Sequence, residues 1–384
     1  MGETLHQIAQ FLIPAWPLIA ACLLILLPEA RARSSARIFA LAGLALTLVL
    51  TPLLYNQDLL ARWGCLLAST VPLLAWREAN GRIPTSLNFL ASAVIMLALC
   101  AKSVLPVACL TGCAALVLAL NETLVTSRAK QAWEPMRLRL AGLVMTLLGT
   151  SLTTLGADPA LLRLGDLFMA VGLCLLAGLG LPGTSGRSIR ADYRNAILLD
   201  MLLCLSAIAL MLRLPERDMT HMVLLLAGLA GLWICVLTDQ DSPRISVALA
   251  IIAAALPIGI VPSLLFLTSA FALAAEPVLP LPMRRWIQCG LPPWPGFAAS
   301  CMVLAGLARS GILLTGLCGL ALCVLASRCQ LTSCFPASWR DRAIVLALLG
   351  LGLGAGIVTG WTTSLPSGGA LPILSDWPLK WRAP

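Results

Sequence analysis

Few side chains in this sequence could move a proton or attack a bond. There are two histidines, His6 near the N-terminus and His221 at the start of an apolar run. A lone histidine at a helix end is more often a satisfied interfacial residue than a base or a metal ligand. No His-Glu-x-x-His zinc motif and no Gly-x-Ser-x-Gly nucleophile elbow occurs. Proton relay inside a membrane needs several titratable groups within hydrogen-bonding reach of one another. The candidates are Lys102, Glu122 beside Asn121, Asp166, Asp200 and Arg309. Lys102 lies between two apolar runs, from which a long side chain can snorkel to the interface. Asp166 and Asp200 fall near the starts of runs, where carboxylates also cap helix N-termini. Arg309 interrupts the apolar region 296–326 and marks either a loop between two short helices or a buried cation. An intramembrane transferase would need a carboxylate such as Asp192 or Asp239 near lipid headgroups, but both stand in polar, loop-like stretches.

The fourteen cysteines contain no Cys-x-x-Cys pair. Cys22, Cys100, Cys174 and Cys204 lie inside apolar runs. The densest group, Cys318, Cys323, Cys329 and Cys334, fits no zinc spacing. Cysteines so placed read as small apolar fillers, and neither metal nor cofactor is expected. The run from Gly350 to Gly356 invites a dinucleotide reading, but it lies in an apolar stretch with no strand before it. Gly352, Gly356 and Gly360 recur every fourth residue, which is a helix-packing face.

The elements that carry these residues follow from composition. Hydrophobic residues make up 59% of the 384 and charged residues 11%, and mean hydropathy is +0.94. A soluble domain of this length needs far more charge to cover its surface. Apolar runs near the roughly 20 residues required to cross a bilayer recur throughout, about 12 to 14 of them. The expected spans are 11–27, 38–55, 59–76, 86–101, 104–125, 138–155, 164–181, 196–214, 222–237, 245–260 and 262–281. Two short spans in 296–326 and one at 343–361 complete the set. Their period is helical, without the alternation of a barrel strand. Short loops leave no room for a soluble domain, so residues 1–384 read as a single all-α, polytopic integral membrane domain.

The net charge of +9 has a topological explanation. Arg31, Arg33 and Arg37 follow the first run, Arg77 and Arg82 the third, Arg128, Lys130, Arg137 and Arg139 the fifth, and Arg187, Arg190 and Arg194 the seventh. The alternate loops are poorer in cations. The positive-inside rule puts the richer loops in the cytoplasm and the N-terminus outside, in a multi-pass inner (cytoplasmic) membrane protein. The first cation is Arg31, so the first run lacks the basic start of a cleaved signal and reads as a retained helix. The partners are the lipid bilayer and not nucleic acid.

Gly290-Leu291-Pro292-Pro293-Trp294-Pro295-Gly296-Phe297 stands before or inside a span. Pro292 and Pro293 each lack a backbone donor and cannot continue a regular helix. The segment is either a broken helix lining a cavity or a rigid interfacial turn. It resembles the Gly-[Leu/Ile]-Pro-Pro-x-x-Gly-Phe signature of the antiporter-like membrane subunits, which are the proton-channel subunits of respiratory complex I, Mrp-type antiporters and membrane-bound hydrogenases. Asp241-Ser-Pro-Arg-Ile-Ser-Val-Ala-Leu looks like a worn form of that family's Asn/Asp-x-Lys-Arg stretch, with Arg244 retained and Pro243 in place of the first basic residue. Ser263-Leu-Leu-Phe-Leu-Thr268 is similar to its Lys-x-Leu-Phe-Leu helix. The resemblance spans about residues 86–361 and implies an antiporter-like bundle with broken helices. It also implies partner subunits of a respiratory (NADH:quinone oxidoreductase) or hydrogenase-type complex.

The departures alter the functional expectation. The family's key glutamate falls on Ala114, its central lysine on Leu176, and its charged residue after Gly-Phe on Ala298, Ala299 or Ser300. With that row lost, the expectation is an accessory or structural subunit, at most a non-catalytic member of an oxidoreductase complex. The possible ion-path residues are Lys102, Glu122, Arg244 and Arg309. The alternative is an unrelated secondary transporter of a small molecule or lipid, since Gly- and Pro-interrupted spans also mark substrate sites.

Overall fold

Helix follows helix along the whole described chain, because a backbone in hydrocarbon must satisfy its own N–H and C=O groups. A computed structural model describes residues 2–51, 59–75, 81–101, 103–126, 129–155, 158–179, 195–214, 218–238, 243–257, 259–274, 286–287, 289–292, 294–328, 342 and 345–354. These form α1 (Gly2–Leu26), α2 (Glu29–Leu50), α3 (Leu59–Ala75), α4 (Arg82–Cys100), α5 (Val104–Thr126), α6 (Ala129–Leu155) and α7 (Pro159–Leu176). They continue as α8 (Asn195–Met211), α9 (Asp218–Leu237), α10 (Arg244–Ala254), α11 (Ile260–Ala274), α12 (Pro295–Ser310), α13 (Ile312–Ser327) and α14 (Val345–Gly354). The described residues contain no strand. Five helices, α2, α4, α5, α7 and α9, are long and apolar enough to cross a bilayer unaided.

Each expected span overlaps one of these helices; residues 52–55, 76, 180–181, 258, 275–281, 343–344 and 355–361 of those spans lie outside the described residues. Region 296–326 divides into α12 and α13 at Gly311, whose extended backbone (φ 162°, ψ 140°) interrupts the helical hydrogen bonds. At 1.5 Å per residue each half is about 24 Å long, short of a ~30 Å hydrocarbon core. α10 and α11 form a hairpin about Leu256–Gly259, in which the Ser263 hydroxyl donates to the Ala250 carbonyl at 3.0 Å. The start of α7 is set locally: the Asp158 carboxylate accepts from the Ala160 N–H at 3.0 Å, and Pro159 occupies the first turn, where its missing donor costs nothing.

The middle of the bundle is α8, α10 and α11. Every residue from Ile245 to Ala254 is buried, and α8 packs on α3, α4, α5, α7, α10 and α11. In α4, 78% of the most apolar stretch is buried, against 17% in α2, so α4 belongs to the interior and α2 to the rim. Peripheral helices leave large apolar side chains outward, among them Ile38, Val144, Ile234 and Ile312. In a membrane these faces meet lipid tails rather than water.

The tightest pair is α6 against α7. Gly142 faces Gly172 and Gly149 faces Gly165, with a spacing of seven in each helix. A Cβ on Gly172 would stand 2.6 Å from the Gly142 carbonyl oxygen, and one on Gly149 would stand 2.6 Å from that of Gly165. Without a hydrophobic driving force between helices in lipid, such close backbone approach is a main source of attraction.

Candidate functional site

α5 ends where α4, α6, α8 and α10 begin, and at that end of the bundle the structure collects the polar side chains. The Asn121 amide donates to the Asn88 amide oxygen at 2.5 Å, joining α5 to α4. The next residue, Glu122, is half-buried within electrostatic range of Asp200 and Arg139. The Arg139 guanidinium donates to the Asp200 carboxylate in an ion pair between α6 and α8. Both members are withdrawn from the surface, with side chains 6% and 22% exposed. Arg244, the first residue of α10, reaches the same neighbourhood, since Arg139, Asp200 and Arg244 all act electrostatically on the Cys204 thiol. The cluster is thus Asn88, Asn121, Glu122, Arg139, Asp200 and Arg244, drawn from five helices.

Two of these roles were not anticipated. Arg139 is expected among the loop cations after the fifth run, yet it is 5% exposed. Asp200 read as interfacial or as a cap, yet it is the partner of Arg139. Their separation of 61 residues leaves no local signal. Glu122 and Arg244 do join the cluster. Arg309 does not: it sits exposed in the last turn of α12, where a cation complements the carbonyl end of a helix. Lys102, Pro293, Asp192 and Asp239, and the side chain of His6, lie outside the described residues.

The positions at which the resemblance puts titratable groups are apolar or hydroxylic. Ala114, Leu176, Ala298 and Ala299 are all buried, between 0% and 4% exposed. Ser300 is also buried, with its hydroxyl near the Gly290 backbone. One turn from Ala114, the Thr111 hydroxyl stands 3.1 Å from that of Ser206, linking α5 to α8, and neither group titrates near neutral pH. Among the described residues the buried ionisable side chains, cysteine aside, are Arg139 and Asp166. Asp166 is seven residues into α7, roughly 10 Å along it. The cap of α7 is Asp158.

The opposite end is held by side-chain capping. The Arg213 guanidinium donates to the Leu99 and Ala101 carbonyls, each at 2.6 Å, satisfying orphan acceptors at the end of α4. His221 Nδ1 lies 3.0 Å from the Ala255 carbonyl at the end of α10, so that nitrogen carries the proton. Trp63 Nε1 donates to the Thr268 hydroxyl at 2.9 Å. At the cluster's own end, Arg328 donates to the Val236 carbonyl at the close of α9.

The Gly290–Phe297 segment is a hydrogen-bonded turn opening α12. Gly290 adopts φ +58°, and its N–H donates to Ile287 while that of Phe297 donates to Trp294. A Cβ on Gly290 would meet the Gly296 carbonyl oxygen at 3.2 Å, so the two motif glycines close the turn on each other. Trp294 is 2% exposed and packs with Leu273, Ile287, Val345 and Leu348, which fastens the turn to α11 and α14. Gly352 of α14 is buried; Gly356 and Gly360 lie outside the described residues.

Among solved structures, the chain is similar to one in respiratory complex I from Thermus thermophilus with bound aureothin, at TM-score 0.67 and 21% identity, covering 91% of this chain and 98% of that one. It is also similar to a chain in the Mrp complex from Dietzia sp., at TM-score 0.72 and 11% identity, covering 92% and 96% respectively. No family model matches the sequence, and no curated protein does. The chain shares its fold with those chains of respiratory complex I and the Mrp complex.

Proposed function

We propose that this chain is an accessory membrane subunit of a multi-subunit respiratory or cation/proton antiporter-type complex, serving as scaffold rather than conductor. Its assembly partners are other membrane subunits of that complex, and it lies in the inner membrane with its N-terminus outside. The observation that carries the reading is the apolar, buried state of Ala114, Leu176, Ala298 and Ala299. Those are the positions at which the resemblance puts titratable groups. A proton wire requires groups within hydrogen-bonding reach along its length, and Thr111 with Ser206 supplies only one hydroxyl step at that depth. The polar cluster at the α5–α8 end ties helices together through Arg139, Asp200, Asn88 and Asn121, which suits a scaffold.

Two measurements test this. Purification from native membranes in mild detergent is expected to bring down further membrane subunits with the chain; recovery as a monomer alone overturns the assembly reading. Vesicles reconstituted with the chain alone are expected to dissipate an imposed pH gradient no faster than protein-free vesicles. Rapid, protein-dependent dissipation overturns the scaffold reading.

A further inference from the structure

We propose that the exposed face of α2 holds an anionic phospholipid, its phosphate on Arg33 and Arg37 and its tails along residues 38–49. The proposal rests on the membrane placement of the chain and not on the scaffold reading above. α2 is a rim helix, with 17% of its most apolar stretch buried. Arg33 and Arg37 stand one turn apart on it, and both are exposed. Residues four apart share a helix face. Ile38, Leu41, Leu48 and Val49 continue that face toward mid-membrane, and each is between 48% and 71% exposed. One side of the helix thus passes from cations to hydrocarbon.

Charge and length both match that occupant. Arg31 is exposed in the first turn of α2, and so is Arg82, the first residue of α4. A Cβ on Gly81 would stand 3.2 Å from a Glu29 carboxylate oxygen, which puts the start of α4 against the start of α2. Among the described residues this corner carries the four arginines Arg31, Arg33, Arg37 and Arg82 against the one carboxylate of Glu29. The adjoining segment 76–80 adds Arg77 and Glu78, one charge of each sign. All these cations are arginines, whose planar fork meets phosphate oxygens two at a time. From Ile38 to Leu48 the helix rises about 15 Å, the tail depth of one leaflet in a ~30 Å core.

Other exposed arginines lack this setting. Arg163 of α7 and Arg309 of α12 are each the single cation of their helix. On the orientation proposed from loop charge, α2 begins at the cytoplasmic leaflet, whose anionic lipids attract basic segments beside a span.

The test uses the full-length protein in mild detergent, mixed with dioleoylphosphatidylglycerol or with dioleoylphosphatidylcholine, which has the same tails and a zwitterionic headgroup. Native mass spectrometry counts the retained lipid, and hydrogen exchange reads α2. The phosphatidylglycerol is expected to be retained several-fold better and to slow exchange in the first turns of α2; inorganic phosphate alone should not slow it. Arg33→Gln/Arg37→Gln should weaken phosphatidylglycerol binding by roughly tenfold and abolish the slowing. Arg33→Lys/Arg37→Lys should fall between, and Arg163→Gln should match the wild type. Equal retention of the two lipids, as when the arginines serve an acidic protein surface instead, overturns the proposal. Equal slowing by inorganic phosphate overturns it too, as does a loss in Arg163→Gln as large as in the double variant. The wild-type comparison of the two lipids, with its exchange map, decides the matter should the double variant fail to fold.

Discussion

Asp200→Asn removes the charge that faces Arg139 and keeps the side-chain volume. Unit charges at hydrogen-bonding separation, about 3 Å, attract by roughly 5 kcal/mol at an effective dielectric of 20. Withdrawing each ion from water costs several kcal/mol, so the intact pair contributes little net stability. Removing one partner is different, because Arg139 then stays desolvated without its hydrogen-bonded countercharge, with only the half-buried Glu122 still in range. With Arg139 only 6% exposed, the expected loss for Asp200→Asn is about 3–5 kcal/mol. Arg139→Met should cost less, since Asp200 is 22% exposed and can recover some water. The double variant Arg139→Met/Asp200→Leu should regain most of the loss, a hydrophobic pair being comparable in energy to a buried ion pair. The assay is a double-mutant cycle on unfolding in detergent micelles, at low and at high salt. The single losses should persist in 1 M salt, where screening removes exposed ion pairs. Additive single losses, or a loss for Asp200→Asn that salt abolishes, would refute a buried, mutually dependent pair.

Gly172→Ala forces a Cβ within 2.6 Å of the Gly142 carbonyl oxygen, whereas a Cβ at Gly316 meets nothing within 4 Å. The first should lower the melting temperature through an overpacking cost of about 1–3 kcal/mol, while Gly316→Ala leaves it unchanged or raises it. Arg213→Lys cannot span both the Leu99 and Ala101 carbonyls, and a destabilisation of about 1–3 kcal/mol is expected for the acceptor left unpaired. In hydrogen exchange the last turn of α4 should exchange faster in that variant. Gly290→Ala puts a side chain on a residue at φ +58°, a cost of about 1–2 kcal/mol, and thermal unfolding should register it without loss of helix content by circular dichroism.

Helix positions were legible because each apolar run needs its own closed hydrogen-bond ladder in lipid. Runs 59–76 and 104–125 match α3 and α5 within a residue. Starts were less legible: α2, α4 and α6 begin four to nine residues before the expected spans. Their first turns carry polar or helix-limiting residues, Arg31, Arg82 with Pro84, and Lys130, that hydropathy excludes but a helix projecting into the interface accepts. The glycine contact between α6 and α7 was readable in principle, since Gly142 and Gly149 repeat the spacing of Gly165 and Gly172. The denser Gly350–Gly356 run is the more conspicuous glycine pattern in the sequence. The Arg139–Asp200 pair was not readable. Each residue alone resembles an interfacial charge, and only the packing of α6, α5 and α8 brings them together.

Where the charges lie decides what the bundle can do. A proton moving through hydrocarbon pays a desolvation cost at every unassisted step, and fixed titratable groups at mid-depth are the means of lowering it. The cluster of Glu122, Arg139, Asp200 and Arg244 lies toward one end of the bundle; Leu176, which closes α7 beside Gly142, is apolar at that same end, and Ala114 is apolar deeper along α5. With Asn88 and Asn121, these groups bring five helices together at one end of the bundle. The opposite face is fixed by another device, with Arg213 and His221 occupying the carbonyl ends of α4 and α10. Both ends therefore carry polar bonds between helices, and between them glycine contacts and apolar packing are joined by the Thr111–Ser206 hydroxyl pair and the bond from the Ser92 hydroxyl to the Ala68 carbonyl. This distribution is what supports the proposed scaffold role over the alternative of conduction.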